Sequence, residues 1–418
     1  MSTTSPLSSN TTELIAYRGC QKMTKEESEA HVASLLCLEN IGVFLGSGAS
    51  CELGGKTVKR IWRDFKKEYS ESFEWLQNEK FVSDPVNIEV LLDTIEIALK
   101  EWTRANRPLK VKQLLKAKSD LLRSIVMGAM LEHVLWDSQD EDKRAELLST
   151  HINLLQKIIS ARQPGQAAPW FFTTNYDLAI EWAAESIGLH VINGFSGLHN
   201  RIFSPQIFDL GFHNLLTKGE ARFGAYHANL VKLHGSLSWQ LSNYLDEYTE
   251  IPANAAKIYI KKFLDDNGSN FGCPIIFPAA AKYIQTVGFV LSELVRRFVD
   301  FLFRPQTCIF ITGYSFSDEH LDQLFIRALQ NPTLQAVIFM PEATISQNGE
   351  LDLSNCSKTM KKIQRLQSPQ VTIIGGGASA YFDKFVDLLP DPVIYDNHAL
   401  QIRKMLGELK NNAKLGSV

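Results

Sequence analysis

Ile41-Gly42-Val43-Phe44-Leu45, followed at once by Gly46-Ser47-Gly48-Ala49-Ser50, decides how the fold is read. A short apolar run that stops at a glycine turn is the sequence form of a buried strand feeding a loop. Glycines in that position let the backbone approach a pyrophosphate and present N–H groups to its charge. A plain strand-to-helix turn explains the same residues, because Cys51 stands where the dinucleotide fingerprint has its third glycine. Just downstream, Gly54-Gly55-Lys56-Thr57 resembles the end of a nucleoside-triphosphate P-loop. That pattern needs a glycine where Ser50 stands, so an ATPase reading is set aside.

Working outward, residues 25–39 read as a helix that leads into the Ile41–Leu45 strand. From Thr57 to about Ala161 the apolar spacing is helical, and strands resume only at Trp170-Phe171-Phe172-Thr173-Thr174. A helical segment therefore interrupts an α/β core. Beyond it, strands and helices alternate: strands at His190–Ile192, Asn229–Leu233, Pro274–Phe277, Thr307–Ile311, Ala336–Met340 and Val371–Ile374, helices between and after them. Alternation of this kind predicts a mainly parallel, Rossmann-like sheet covered on both faces, with ligands bound beyond the carboxyl ends of its strands. The expected organisation is a flexible tail over residues 1–24, a discontinuous core over 25–65 and 166–390, a helical module over 66–165, and a closing helix and tail over 391–418.

The 418 residues carry a net charge of -3, which gives no overall electrostatic case for wrapping nucleic acid. The densest basic cluster, Lys110, Lys112, Lys116 and Lys118, has Glu96, Glu101 and Asp120 on its flanks and reads as a solvated helix face. Six cysteines (Cys20, Cys37, Cys51, Cys273, Cys308, Cys356) are scattered without a C-x-x-C pair, which argues against a zinc site or a disulfide framework. No apolar run reaches the length of a membrane span, and residues 1–24 lack a secretion signal. A cytoplasmic protein with no membrane association is expected.

Two further strand ends carry groups suited to chemistry. Thr173-Thr174-Asn175-Tyr176-Asp177 delivers an Asn and an Asp above the sheet, either for ligand contact or to cap the next helix. Lys232-Leu233-His234-Gly235-Ser236 ends a strand at a histidine, which exchanges protons near neutral pH or serves structure alone.

Taken in order, Gly46–Ser50, Thr173–Asp177, Lys232–Ser236 and Thr312-Gly313-Tyr314-Ser315-Phe316 resemble the sirtuin (silent information regulator) superfamily. The resemblance is closest to its bacterial antiphage branch, in particular the sirtuin-like subunit encoded beside a HerA-type ATPase. Asn193–His199, Gly219–Gly224, Lys282-Tyr283 and Gly375–Gly377 add to it. It implies a sirtuin-type NAD-binding core with NAD+ as substrate and no zinc. It also implies that Gly46, Ser47, Gly48 and Ala49 cradle the phosphates, Asn175 and Asp177 hold the nicotinamide ribose, His234 is the base, and Thr312, Gly313 and Ser315 support the adenosine half. The activity implied is an antiphage NADase that cleaves NAD+ to nicotinamide and ADP-ribose. It would act as a homo-oligomer activated by a HerA-type ATPase, touching DNA only through that partner complex.

Two departures from the deacylase branch stand out: the four-cysteine zinc module is missing, and the helical insertion occupies the place of a shorter cofactor-binding segment. The missing module argues against protein deacylation, while the insertion mediates self-assembly, covers the pocket or is internal core. The alternatives to hydrolysis are NAD-dependent deacylation or ADP-ribosyl transfer, and a non-catalytic scaffold that senses NAD or ADP-ribose.

Overall fold

A computed structural model describes residues 14–83, 87–137, 141–162, 166–211, 226–241, 248–265 and 287–391. The chain opens with β1 (Ile15–Arg18), β2 (Gln21–Met23), α1 (Lys25–Leu35) and β3 (Asn40–Leu45). Helix α1 starts where it does because Thr24 and Glu27 form a capping box: each side chain accepts the other residue's backbone N–H. After β3 comes a tight turn of 3-10 helix, Ser47–Leu53, and then α2 (Val58–Glu68), α3 (Ser70–Asn78), α4 (Ile88–Arg104), α5 (Pro108–Ala129), α6 (Glu141–Leu147) and α7 (Ser149–Ser160).

The alternating half follows, with β4 (Trp170–Thr173), α8 (Ala179–Ser186), β5 (His190–Ile192), β6 (Phe195–Ser196), β7 (Arg201–Phe203), β8 (His227–Lys232), β9 (Trp239–Leu241), β10 (Tyr248–Glu250), α9 (Ala253–Asp265) and α10 (Val287–Leu302). It ends with β11 (Thr307–Thr312), α11 (Glu319–Ala328), β12 (Leu334–Phe339), the short ribbon β13 (Thr344–Ile345) and β14 (Leu351–Asp352), α12 (Lys358–Leu366), β15 (Val371–Gly375) and α13 (Phe382–Leu388).

Nine strands form one sheet in the order β2-β1-β15-β12-β11-β3-β4-β8-β5. From β15 to β5 every pairing is parallel; β1 joins β15, and β2 joins β1, antiparallel. All six residues of β3 and of β11 are buried, as expected where a parallel strand is covered on both faces. Alternate side chains feed two cores. Phe44, Trp170, Phe172 and Ile309 pack with α10, α11 and α12 on one face, and Val43, Phe171 and Phe310 pack with α1, α7, α8 and α13 on the other. The α/β, mainly parallel, Rossmann-like class read from the sequence is the class found. The chain leaves β3 for β4 on one side and later returns through β11 on the other, so the strand order reverses between β3 and β11. A sheet of this type binds ligands at such a reversal.

Several boundaries differ from the sequence reading. Residues 15–23, expected in the flexible tail, form β1 and β2, because Ile15, Ala16 and Tyr17 are apolar and pair residue for residue with Gly375, Ile374 and Ile373. The third core gathers α2 to α5 with α9 and part of α8, so it starts before residue 66. Leu154, Leu155 and Ile158 of α7, expected in the helical module, pack under the large sheet. The irregular stretch after Ile192 supplies β6 and β7, which join β10 and β9 in a second, four-stranded sheet. Lys110, Lys116 and Lys118 pair with Glu79, Glu71 and Glu96, which accounts for most of the basic cluster on α5. The strand expected at Pro274–Phe277, Cys273, Gly219–Gly224, Lys282-Tyr283 and the tail from residue 392 lie outside the described residues. Among the described residues no helix is long and apolar enough to cross a membrane.

Candidate functional site

The site is assembled from four strand ends. Where β3 stops, Gly46 N–H donates to Thr312 O (3.0 Å) and Gly48 N–H to Gly313 O (2.9 Å), so this turn lies flat against the loop that leaves β11. The approach is possible only without side chains: a Cβ on Gly46 would sit 2.4 Å from Gly313 O, and one on Gly48 would sit 2.7 Å from Gly313 Cα. Ala49 N–H turns back to Gly46 O at 3.0 Å. Three of the four amides expected to cradle phosphate are thus held by backbone carbonyls, and only the amide of Ser47, the first residue of the 3-10 turn, has no backbone acceptor among the described residues.

At the end of β4, Thr173 Oγ1 donates to Leu45 O (2.9 Å) and accepts Asn175 N–H (2.9 Å), which ties this loop to β3. Asn175 Nδ2 donates to Gly46 O at 3.0 Å and to Ser50 Oγ at 2.9 Å. Ser50 Oγ in turn donates to Asp177 Oδ2 at 2.7 Å, while Asp177 Oδ1 accepts Ala179 N–H at 3.1 Å. Asp177 is therefore both the acceptor at the start of α8 and a member of the site. Asn175 caps nothing; both its amide protons point across to the glycine turn, which leaves Oδ1 as the acceptor for a water proton or a hydroxyl.

At the end of β8, the buried Lys232 donates through Nζ to the carbonyl of Asp177 and to Glu181 Oε1 (2.8 Å). Burial pushes the Glu181 carboxyl above its usual range against the pull of Lys232. Thr173 and Lys232 are register partners, so Asn175 and His234 each stand two residues past a matched pair. His234 reaches across to the loop after β11, where its Nε2 lies 3.0 Å from Asp318 Oδ2. The other carboxylate oxygen of Asp318 accepts His320 and Leu321 N–H and caps α11. Burial works to raise the Asp318 pKa, but the hydrogen bond and charge of His234 and the two amides outweigh it, and the net pKa falls below the carboxylate norm.

Thr312 lies fully buried under this arrangement, with Oγ1 lacking a hydrogen-bond partner. Gly313 takes a left-handed turn, φ +66°, above it. Ser315 is exposed and shares a 3.0 Å hydrogen bond with Ser317. Lys56 stands apart, paired with Asp64 at 2.9 Å. The structure thus brings together Gly46, Gly48, Asn175 and Asp177 and sets His234 at the matched position past β8, while Ser315 is exposed on the loop that leaves β11. Sequence reasoning gave no role to Ser50, Lys232 or Asp318, the residues that connect the motifs.

A cavity of about 330 Å³ lies beside this cluster, between α8, β5, β7 and β10. Glu181, Asn193, Arg201 and Glu250 line it, and neither Asn175 nor His234 does. Among the described residues no group of three or more His, Cys, Asp or Glu is placed to hold a metal ion. The strand-end residues suit a ligand rich in hydroxyls and phosphate. Asn175 Oδ1 is an acceptor and the Ser47 amide a donor there, whereas Thr312 Oγ1 is fully buried and the glycine turn excludes a Cβ because it packs on Gly313.

No curated protein matches the chain. The family model for the SIR2-like domain matches residues 169–360, from β4 into α12, a stretch that includes Asn175, Asp177, His234, Gly313, Ser315 and Asp318 but not the glycine turn after β3. Over residues 169–360, a little under half of its length, the chain is therefore similar to the SIR2-like domain.

Proposed function

We propose that this protein hydrolyses NAD+ to nicotinamide and ADP-ribose, with Asn175 and His234 as its catalytic residues. The observation that carries the reading is the hydrogen-bonded chain Gly46–Asn175–Ser50–Asp177 at the carboxyl ends of β3 and β4, with His234 at the matched position past β8. In the reaction the bond between the ribose C1′ and the nicotinamide nitrogen breaks, its electron pair neutralises the pyridinium charge, and positive charge grows on the ribose. A water oxygen then bonds to C1′, and its proton leaves to His234. Asn175 Oδ1 orients the water and a ribose hydroxyl, the role its fixed Nδ2 leaves open. Asp177, held by Ser50 and through its carbonyl by Lys232, keeps the loop in register. The Ser47 amide and the glycine turn receive the phosphates, and Gly313, with Thr312 beneath it and Ser315 exposed on the same loop, borders the adenosine half.

The resemblance to the antiphage branch extends the proposal. The protein acts in the cytoplasm as a homo-oligomer, is switched on with a HerA-type ATPase during phage infection, and halts the cell by removing NAD. The test is NAD consumption, with products identified by mass spectrometry, for the wild type, Asn175→Ala and His234→Ala, each alone and with a HerA-type ATPase. We expect nicotinamide and ADP-ribose from the wild type and a loss of about 100-fold or more in both variants. Turnover by Asn175→Ala at the normal rate would sink the mechanism, and strict dependence on an acylated peptide would turn the reading to deacylation.

A further inference from the structure

We infer that Asp318 is the positioning residue for His234: its carboxylate fixes the imidazole tautomer and stabilises the imidazolium formed when His234 takes a proton. This rests on the reading of His234 as the base. The geometry is a 3.0 Å contact between two groups that are each about nine-tenths buried, joining the β8 loop to the β11 loop. A carboxylate accepts and cannot donate, so with Asp318 ionised the hydrogen between them belongs to His234 Nε2. Neutral His234 then carries its lone pair on Nδ1, and Nδ1 is the atom that receives the proton. Asp318 is itself immobilised, because its other oxygen holds the amides of His320 and Leu321 at the start of α11. The ionisation is supported by the lowered pKa of Asp318. Among the described residues, the Tyr176 ring lies 6.5 Å from the imidazole, and Asp322, whose burial favours its neutral form, lies one turn along α11 from Asp318.

Asp318→Asn separates this role from helix capping. Asn caps a helix as well as Asp does, so α11 keeps its start. An amide nitrogen facing Nε2 would oppose donor to donor, and His234 escapes by moving its hydrogen to Nδ1, the atom needed as base. Histidine-selective ¹⁵N NMR, with the His234 resonances identified by their loss in His234→Gln, reads the tautomer and titration directly. We expect the Nε2–H form in the wild type, the Nδ1–H form in Asp318→Asn, and a fall of about one unit in the His234 midpoint. In parallel, NAD turnover should drop about 100-fold or more, with KM changed less than about threefold and the acid limb of the pH–rate profile moved to lower pH. Asp318→Glu should restore the Nε2–H form in part. An unchanged tautomer and midpoint in a folded Asp318→Asn protein would overturn the inference. The NMR arm stands without turnover: if the wild type never consumes NAD while the tautomer still switches, Asp318 does position His234, and the assignment of His234 as an NAD-cleaving base is what fails.

Discussion

At Gly313 two constraints fall on one residue: the backbone is left-handed, and a Cβ would sit 2.4 Å from the Ala49 nitrogen. Gly313→Ala should therefore lose about 2–4 kcal/mol, about one from the left-handed turn and the rest from forcing the β3 and β11 loops apart. Chemical denaturation checks this against Ser315→Ala, two residues on and exposed, which should stay within about 0.5 kcal/mol. The sequence made half of this contact visible. Gly46-Ser47-Gly48 after an apolar run is a local signal, and so are Asn175 and His234 at strand ends. That Gly46 and Gly48 face Gly313 is not local, since about 265 residues of chain separate the two loops. Asp318 was hidden for the same reason. Its local spacing announces a helix cap, which it is, while the carboxylate oxygen that serves His234 acts across 84 positions.

Among elements, β3, β4, β8, β11, β12 and β15 were legible because strands buried on both faces read as continuous apolar runs. β1 escaped because it is four residues long and follows a polar start. The assignment of α7 was obscure for a different reason: an apolar stripe at helical spacing looks the same whichever core it faces. Its place under the sheet makes a definite prediction. Leu155→Ala removes a fully buried side chain from the core shared with α13 and α8, and should cost about 2–5 kcal/mol in global unfolding. Leu115→Ala, half exposed on α5, should cost less than about 0.5 kcal/mol. Equal losses in a thermal or denaturant melt would contradict the placement of α7.

At the scale of the whole molecule, two buried groups give the stability curve opposing slopes. Burial drives the His151 pKa from 6.5 down to about 4, so its contribution is full above 6.5 and is lost as pH falls toward 4. Burial drives Asp322 from 3.8 up to about 6, so its contribution is full below 3.8 and is lost as pH rises toward 6. Each window is worth of order 2–3 kcal/mol, and over the shared range the two offset each other. Urea unfolding across this range should show His151→Phe gaining stability relative to the wild type as pH falls, and Asp322→Asn gaining it as pH rises. Parallel curves for all three proteins would refute both assignments. The strand order has a further consequence, for how the protein is made. Strand β3 lies between β4 and β11, whose residues are synthesised more than 120 and more than 260 positions later, and β1 waits for β15 near residue 371. During translation the central strand therefore emerges long before either neighbour, while α2 to α5 have partners close by in sequence. Until the last strands leave the ribosome, the apolar run Ile41–Leu45 depends on chaperones or transient burial to stay out of aggregates.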